Sequence, residues 1–335
     1  YSLLDFLDNS PCNFFATATI QRYLDDNGFQ ELKQSERWNL EKGGKYYVKK
    51  NDTAIFGFVI GETPLDQSGF NMISAHSDSP CFRIKPNPEM LADGVLKLNT
   101  EVYGGPILYT WFDRPLSLAG RVIVRNPQNP ARPITKLIDF ASPVLIIPHL
   151  AIHFNRNVNA GNPLSKQKDM LPIAAIVSDS MSKNNFLIDQ IKERLEIADS
   201  KYILDFDLML YNCQKSQLVG FNKEFICSGR IDDLSMAHAA LSALLNSDNP
   251  ATTKVMAIFD NEETGSGTKQ GAASPVLASI LHRVSTCMGL DDEGFYQALS
   301  RSFLVSADNA HAAHPNYPEK YDPTNHPKMG GGPVI

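Results

Sequence analysis

The sequence has 335 residues, 43% of them hydrophobic and 20% charged, with 21 Gly and 21 Pro; this is ordinary globular composition and excludes collagen, coiled coil and intrinsic disorder. Thirty-one Lys and Arg against 37 Asp and Glu leave a formal charge of −6, and no basic run is present to grip a phosphate backbone, which argues against nucleic acid as a partner. No apolar stretch reaches the about 18 residues of a membrane-spanning helix, so no membrane partner is expected either.

At this length single cores tend to split, beyond about 250 residues, so two units are expected. The opening Tyr-Ser-Leu-Leu-Asp-Phe-Leu-Asp carries acids and no basic leader, unlike a signal peptide, and no initiator Met precedes it, as though residues lie upstream. Five cysteines without a CxxC pair suit reduced, mostly buried thiols in a cytoplasmic protein. Phe14, Phe15, Ala18, Ile20 and Tyr23 recur at helical spacing and Asn27-Gly28 supplies a stop, which predicts a helix over residues 11–28. Short apolar runs at 54–60 and 70–75 predict strands, the second leading straight into His76-Ser77-Asp78.

The texture then changes. β-type runs at 95–102, 107–112, 118–124 and 202–211 alternate with seven prolines between Pro127 and Pro172, or a few residues either side of them, and one amphipathic helix carries Leu187, Ile188, Ile191 and Leu195 on a single face. After Cys227 the pattern becomes α/β: a helix over 233–245 with Leu234, Ala237, Leu241 and Leu244 at i, i+3, i+7 and i+10, a buried strand at 254–259, a glycine-rich turn, and a strand at 302–306. The fold class expected is therefore α/β, with residues 1–90 and 226–335 forming one unit and a mainly β unit of residues 91–225 inserted into it.

Three strands read as buried and end in groups that carry chemistry: residues 72–75 before His76 and Asp78, 255–259 before Asp260-Asn261-Glu262-Glu263, and 303–307 before Asp308. Ligands of open α/β sheets bind outside the carboxyl ends of the strands, so these side chains should converge. Asp232-Asp233 opens the following helix, where the ordinary use of an Asp is to cap. One His with several carboxylates is a hard to borderline donor set, suited to zinc, cobalt or manganese. Adjacent Glu262 and Glu263 fit a division in which one binds metal and the other takes a proton from water. Asp78 is spaced to hold the His76 ring by its other nitrogen. His149 and His153 have the i, i+4 spacing of a zinc-protease helix, but Leu150 stands where the catalytic Glu must be. Residues 265–271 have neither dinucleotide nor phosphate-loop spacing, and no G-x-S-x-G elbow occurs.

Ser74-Ala75-His76-Ser77-Asp78-Ser79-Pro80, Gly229-Arg230-Ile231-Asp232-Asp233-Leu234, Phe259-Asp260-Asn261-Glu262-Glu263-Thr264-Gly265-Ser266 and the block from Ser306 to Tyr317, together with Ile147-Pro148-His149-Leu150-Ala151-Ile152-His153, closely resemble the aspartyl aminopeptidase family across essentially the whole chain. The resemblance implies a zinc-peptidase α/β sandwich interrupted by a β-rich dimerisation domain. It also implies a cytoplasmic homo-oligomer, a dodecamer built from dimers, that removes N-terminal Asp or Glu from peptides with two zinc ions per subunit. By motif position His76 and Asp308 would bind one ion, Glu263 the other, and Asp232 would bridge them. Glu262 would be the general base, Asp78 the partner of His76, and Asp233 a cap or support. In that family a histidine of the dimerisation domain reaches the neighbouring subunit's site, a part assigned here to His153 with His149 as the alternative. The family's last metal-binding His lies in a further C-terminal stretch, beyond the Ile335 that ends this sequence, so Asp232 and Glu263 alone serve the second ion here. Arg83 and Lys85 are the candidates for the cation that pairs with an acidic substrate. Two alternatives share the ligand pattern: a catalytically silent scaffold or peptide-binding homologue, and a zinc aminopeptidase for neutral N-terminal residues.

Overall fold

The computed structural model describes residues 2–177, 184–248 and 250–335. The chain begins with helices α1 (Leu3–Asp8) and α2 (Asn13–Asp26), then runs through strands β1 (Gln30–Glu31), β2 (Lys45–Lys50) and β3 (Ala54–Val59), a single turn α3 (Leu65–Ser68) and β4 (Phe70–His76). It leaves this sheet for a second one made of β5 (Cys81–Ala92), β6 (Val95–Tyr103), β7 (Leu116–Val124), β8 (Ile134–Asp139), β9 (Ile173–Ile176) and, after helix α4 (Phe186–Arg194), β10 (Ile203–Asn212). A two-stranded hairpin, β11 (Gln217–Val219) and β12 (Phe225–Cys227), leads back to α5 (Ile231–Asn246), β13 (Thr253–Phe259), α6 (Val276–Cys287), α7 (Asp292–Ser300) and β14 (Phe303–Ser306).

The first sheet has the order β1-β2-β3-β13-β4-β14 and the second β8-β7-β10-β5-β6-β9. Every strand of the second sheet falls between residues 81 and 212, so the chain breaks one sheet to build another and then returns, a fold of α/β class with a mainly β insertion. Residues 81–90, placed with the first segment on the sequence pattern, lie in the second sheet as most of β5.

The central strands β3 and β13 of the first sheet are apolar at nearly every position because both faces are covered there. Along β13, Val255, Ala257 and Phe259 face a core with Phe56, Phe58, Ile280, Val284 and Phe295. The alternate residues Met256 and Ile258 face α1, α2 and α5 through Phe6, Ile20, Leu24, Leu234 and Leu241. The period-2 alternation of a strand thus feeds two cores, one on each face. The second sheet buries Phe82, Leu98, Leu118, Val122 and Leu208 against Leu187 and Ile191 of α4. A small cluster of Cys12, Phe14, Cys81, Tyr103, Ala119 and Met209 joins the two sheets' layers.

Three local expectations differ from the structure. Residues 107–112 form no strand; Leu108–Trp111 is a 3-10 turn, with Gly104-Gly105-Pro106 on one side and Pro115 on the other, and an apolar run this short has no period that separates the two states. Strand β5 is concealed in the sequence by Pro86 and Pro88, which lie where its register against β6 shifts between Ile84 and Glu89; proline is accepted at such irregularities. Strand β14, expected to be buried, is an exposed edge with Phe303 at 68%. The thiols also differ: Cys12 and Cys81 are buried, but Cys213 is half-buried and Cys227 and Cys287 are exposed, all unpaired. Among the described residues no helix is long and apolar enough to cross a membrane.

Gly120 of β7 lies opposite Leu208 of β10, and a Cβ there would collide with the carbonyl oxygen of Asp207. Gly120→Ala should therefore cost at least about 1–3 kcal/mol of stability through forced backbone displacement, measured as a lowered urea midpoint at unchanged slope.

Candidate metal centre

Strand β4 lies between β13 and β14 and is parallel to both, with Phe259 level with His76 and Ser306 level with Ser74. Three carboxyl ends consequently open on one edge, and the polar residues that terminate each apolar run emerge side by side. Helix α5 packs against β4 and delivers its first residues to the same edge; Asp232 and Asp233, joined by a cis peptide bond, depart from helical dihedral angles there.

His76 is buried, and its Nε2 lies 3.4 Å from Asp232 Oδ1, 3.9 Å from Asp233 Oδ2 and 3.9 Å from Glu262 Oε2. Ligand atoms of His76, Asp232, Asp233 and Asp308 all fall within 4.8 Å of one another, and so do those of His76, Glu262 and Glu263. The two groups share the imidazole. Asp232, with 53% of its side chain exposed, and Glu262, with 51%, form the open rim. The other ring nitrogen, Nδ1, contacts the main-chain carbonyl of Asp78 at 3.1 Å. A carbonyl can only accept, so Nδ1 carries the hydrogen, and in the neutral ring Nε2 turns its lone pair to the acids. Asp78 thus meets the ring chiefly through its backbone, with its carboxylate oxygen 3.3 Å away.

That carboxylate has further partners. Buried at 2% exposure, it accepts from the Tyr103 hydroxyl at 2.6 Å and from the backbone N–H groups of Glu262 and Glu263 at 3.2 Å each. Asp233 is fully buried and caps nothing: its Oδ2 accepts the His76 backbone N–H at 3.0 Å and its Oδ1 accepts Asn309 Nδ2 at 3.1 Å, while α5 has no side-chain cap. Asp260 points away from the cluster, bound by Asn13 Nδ2 at 3.0 Å and Gln270 Nε2 at 3.3 Å.

Electrostatics follow from this crowding. Burial pushes His76 down, but Asp78, Asp233 and Glu262 outweigh it and raise the imidazole to about 9. Burial raises Asp233 to about 7, helped by Asp308 and Asp232 against the pull of His76. Glu263 is likewise raised to about 7 by burial and then by Asp78, Asp232 and Glu262. Asp232 moves up through burial and Asp308. Asp78 alone moves down, because its hydrogen bonds to His76 and Tyr103 overcome its burial. Acids that raise one another around an imidazole lack positive charge, and a divalent cation supplies it. The donors, one imidazole nitrogen and carboxylate oxygens, suit zinc.

His76, Asp232, Glu262, Glu263 and Asp308 are thus brought together, with Asp78 behind them. His153 is exposed and belongs to neither group. His149 contacts its own segment: its ring Nδ1 lies 2.8 Å from Leu150 O, and the ring meets Phe112 edge-on at 4.5 Å. Arg83 is paired with the Asp207 carboxylate at 2.6 Å, whereas Lys85 donates to the neutral amide of Gln167 at 2.7 Å. Tyr103 and Asn309 escaped the sequence reading; the one signal for Tyr103 was its position before Gly104-Gly105 at the end of a strand-like run. Beside the cluster a cavity of about 240 Å³ is bordered by Asp78, Trp111, Arg230 and Asp232. It adjoins a groove of about 670 Å³ that holds Arg114, Lys215 and Arg230 and, among the described residues, no carboxylate.

Residues 6–335 match the profile of the aminopeptidase I zinc metalloprotease (M18) family. A probable M18 family aminopeptidase 2 of Clostridium novyi is 52% identical over 334 residues, covering 99% of this chain and 77% of the relative. The structure of Chaetomium thermophilum mApe1 superposes with a TM-score of 0.88 at 32% identity, covering 97% of this chain and 77% of that one. The mApe1 dodecamer of S. cerevisiae shares the fold at a TM-score of 0.84 and 24% identity, over 97% of this chain and 75% of that one. With its zinc-peptidase fold and its His-and-carboxylate cluster, this chain belongs to the M18 family of zinc metalloaminopeptidases.

Proposed function

We propose that the enzyme removes N-terminal Asp or Glu from peptides and works with two zinc ions per chain. The observation that carries this reading is the pair of acid groups sharing His76 at one sheet edge. His76 and Asp308 would hold one ion, Glu263 the other, and Asp232, nearest to His76 Nε2, would reach both. Bound zinc would supply Lewis acidity, polarising the scissile carbonyl and making water a nucleophile near neutral pH.

The chain's own residues do the rest. Glu262 is the exposed member of the pair Glu262-Glu263, placed to take the proton of the attacking water. As the carbon–oxygen bond forms and the carbon–nitrogen bond breaks, Glu262 passes that proton to the leaving nitrogen. Asp78 orients the imidazole through its backbone carbonyl and holds the 262–263 turn through its carboxylate. Asp233 fixes the main chain of His76. The acidic substrate preference is supported by the adjoining groove, whose lining carries Arg114, Lys215 and Arg230; Lys215 lies 3.8 Å from the Asp8 carboxylate, which leaves Arg114 and Arg230 as the cations that would attract a negatively charged side chain.

Homo-oligomerisation, as a dodecamer built from dimers, is supported by the S. cerevisiae relative and by apolar side chains left in water on the inserted unit, among them Ile107 at 71%, Phe154 at 82% and Ile176 at 81% exposed. In such an assembly His153, or His149 in its place, would approach a neighbouring site.

Glu262→Gln should lower kcat by about 10²–10⁴-fold, the usual worth of a general base, with zinc content left at about two per chain. Activity and zinc both surviving would remove Glu262 from that role. Rates on Asp-, Glu- and Leu-initiated peptides of equal length should favour the acidic pair, and an equal or faster Leu peptide refutes the specificity. Metal-free protein should lose stability as pH rises. Asp233 and Glu263, held near 7, retain protons in the folded state that they release near 4 when unfolded, and that advantage is gone above about pH 7. The contribution of His76 is fully present below its unfolded value of 6.5 and is lost as pH rises through about 9. Urea midpoints of chelator-stripped protein should fall across this range, and added zinc should restore them.

A further inference from the structure

Tyr103 is the last residue of β6, so it belongs to the inserted sheet, yet its hydroxyl ends among the acids of the other one. The side chain is 6% exposed and lies in the cluster that joins the two layers. Its O–H donates to Asp78 Oδ2 at 2.6 Å and accepts from Asn261 Nδ2 at 2.9 Å. Asp78 follows β4 and Asn261 follows β13, so one oxygen atom ties together the two strand ends that carry His76 and Glu262-Glu263.

Each side of this tie is itself held. Asn261 has a left-handed backbone, φ +62°, and its Oδ1 accepts from Thr268 Oγ1 at 2.7 Å and Gln270 Nε2 at 3.0 Å, which aims the amide at Tyr103. Asp78 uses both carboxylate oxygens on the backbone of Glu262 and Glu263. The next residue, Gly104, has φ +70°, and a Cβ there would stand 3.0 Å from Glu263 Cβ and 3.3 Å from Glu263 Oε2. The corner at residues 103–104 therefore bears on Glu263 twice, once through Asp78 and once by direct packing. Only a hydroxyl donates and accepts at a single atom in this way; a phenyl ring would fill the same core space and do neither.

We propose that Tyr103 is a positioning residue for the hydrolytic reaction, setting the spacing between His76 and the Glu262-Glu263 carboxylates from the inserted sheet. This rests on the reading of the cluster as the hydrolytic metal site. Docking of the inserted sheet thereby becomes a condition for a competent site, over and above any part it has in assembly.

The test is Tyr103→Phe in the full chain, loaded with zinc. Groups that orient metal ligands are typically worth about 10–100-fold in activity or metal affinity. The expectation is a fall in kcat of that size with KM changed less than about threefold, and zinc lost to a chelator faster by a similar factor. A residue that only fills the seam would shift the melting temperature and leave both readouts alone. Unchanged kcat and unchanged zinc loss in Tyr103→Phe, beside an active parent, overturn the proposal. If that variant does not fold, Asn261→Asp keeps a residue that tolerates the left-handed backbone while removing the donor to Tyr103. It must then show the same fall in kcat at constant KM, and full kcat in it is equally fatal. A parent chain with neither zinc nor peptidase activity would overturn the reading of the cluster itself, an outcome separate from a silent Tyr103→Phe.

Discussion

Parallel pairing of β4 with β13 on one side and β14 on the other is the constraint from which the rest of the molecule follows. Parallel neighbours end on the same edge, and a strand buried on both faces can place polar groups only where it stops. The apolar runs of β4 and β13 break off at His76 and Asp260, one register step from each other. Had either strand run antiparallel to β4, its acids would have emerged at the opposite edge of the sheet, a strand length away, and no shared cluster would exist.

The cluster assembled in this way is electrostatically incomplete by itself. Five carboxylates, from Asp232, Asp233, Glu262, Glu263 and Asp308, surround one imidazole; Asp233 and Glu263 are pushed up to about 7 and His76 to about 9. Folding tolerates this because its most buried acids are paired. Asp233 is held by His76 N–H and Asn309, and Asp78 by Tyr103 and two backbone N–H groups. The acids with least support from the protein are those at the rim, where a divalent cation would sit. Buried acids are spent on the scaffold and the exposed acids are left as candidate ligands, a division set by the number of N–H and O–H groups each can reach.

The insertion is part of the same construction. Residues 81–212 leave the first sheet immediately after the His76–Asp78 segment and return at α5, whose first residues supply Asp232 and Asp233. Both ends of the excursion thus abut the cluster, and Tyr103 and Gly104 reach back into it from the middle. A β unit attached at that point influences the site by geometry, through two hydrogen bonds and one close backbone approach.

Much of this was legible in the residues. Strands β3, β4 and β13 stand out as apolar runs, α2, α4 and α5 by their helical period, and the candidate ligands by their place at strand ends, because periodicity and burial are local properties of a segment. Strand β5 was masked by Pro86 and Pro88, which a register shift accommodates. The exposed edge of β14 had the same apolar composition as a buried strand, since composition does not say whether a neighbour is present. The sequence by itself determined the α/β class, the insertion and the set of acids and histidine that chemistry could use. Only the tertiary structure decided that Asp233 holds the His76 backbone instead of capping a helix, that Asp78 meets the ring through its carbonyl, and that Tyr103 spans two strand ends. Those choices depend on distances between segments up to about 180 residues apart, such as Asp78 and Glu262, and no local pattern encodes such a distance.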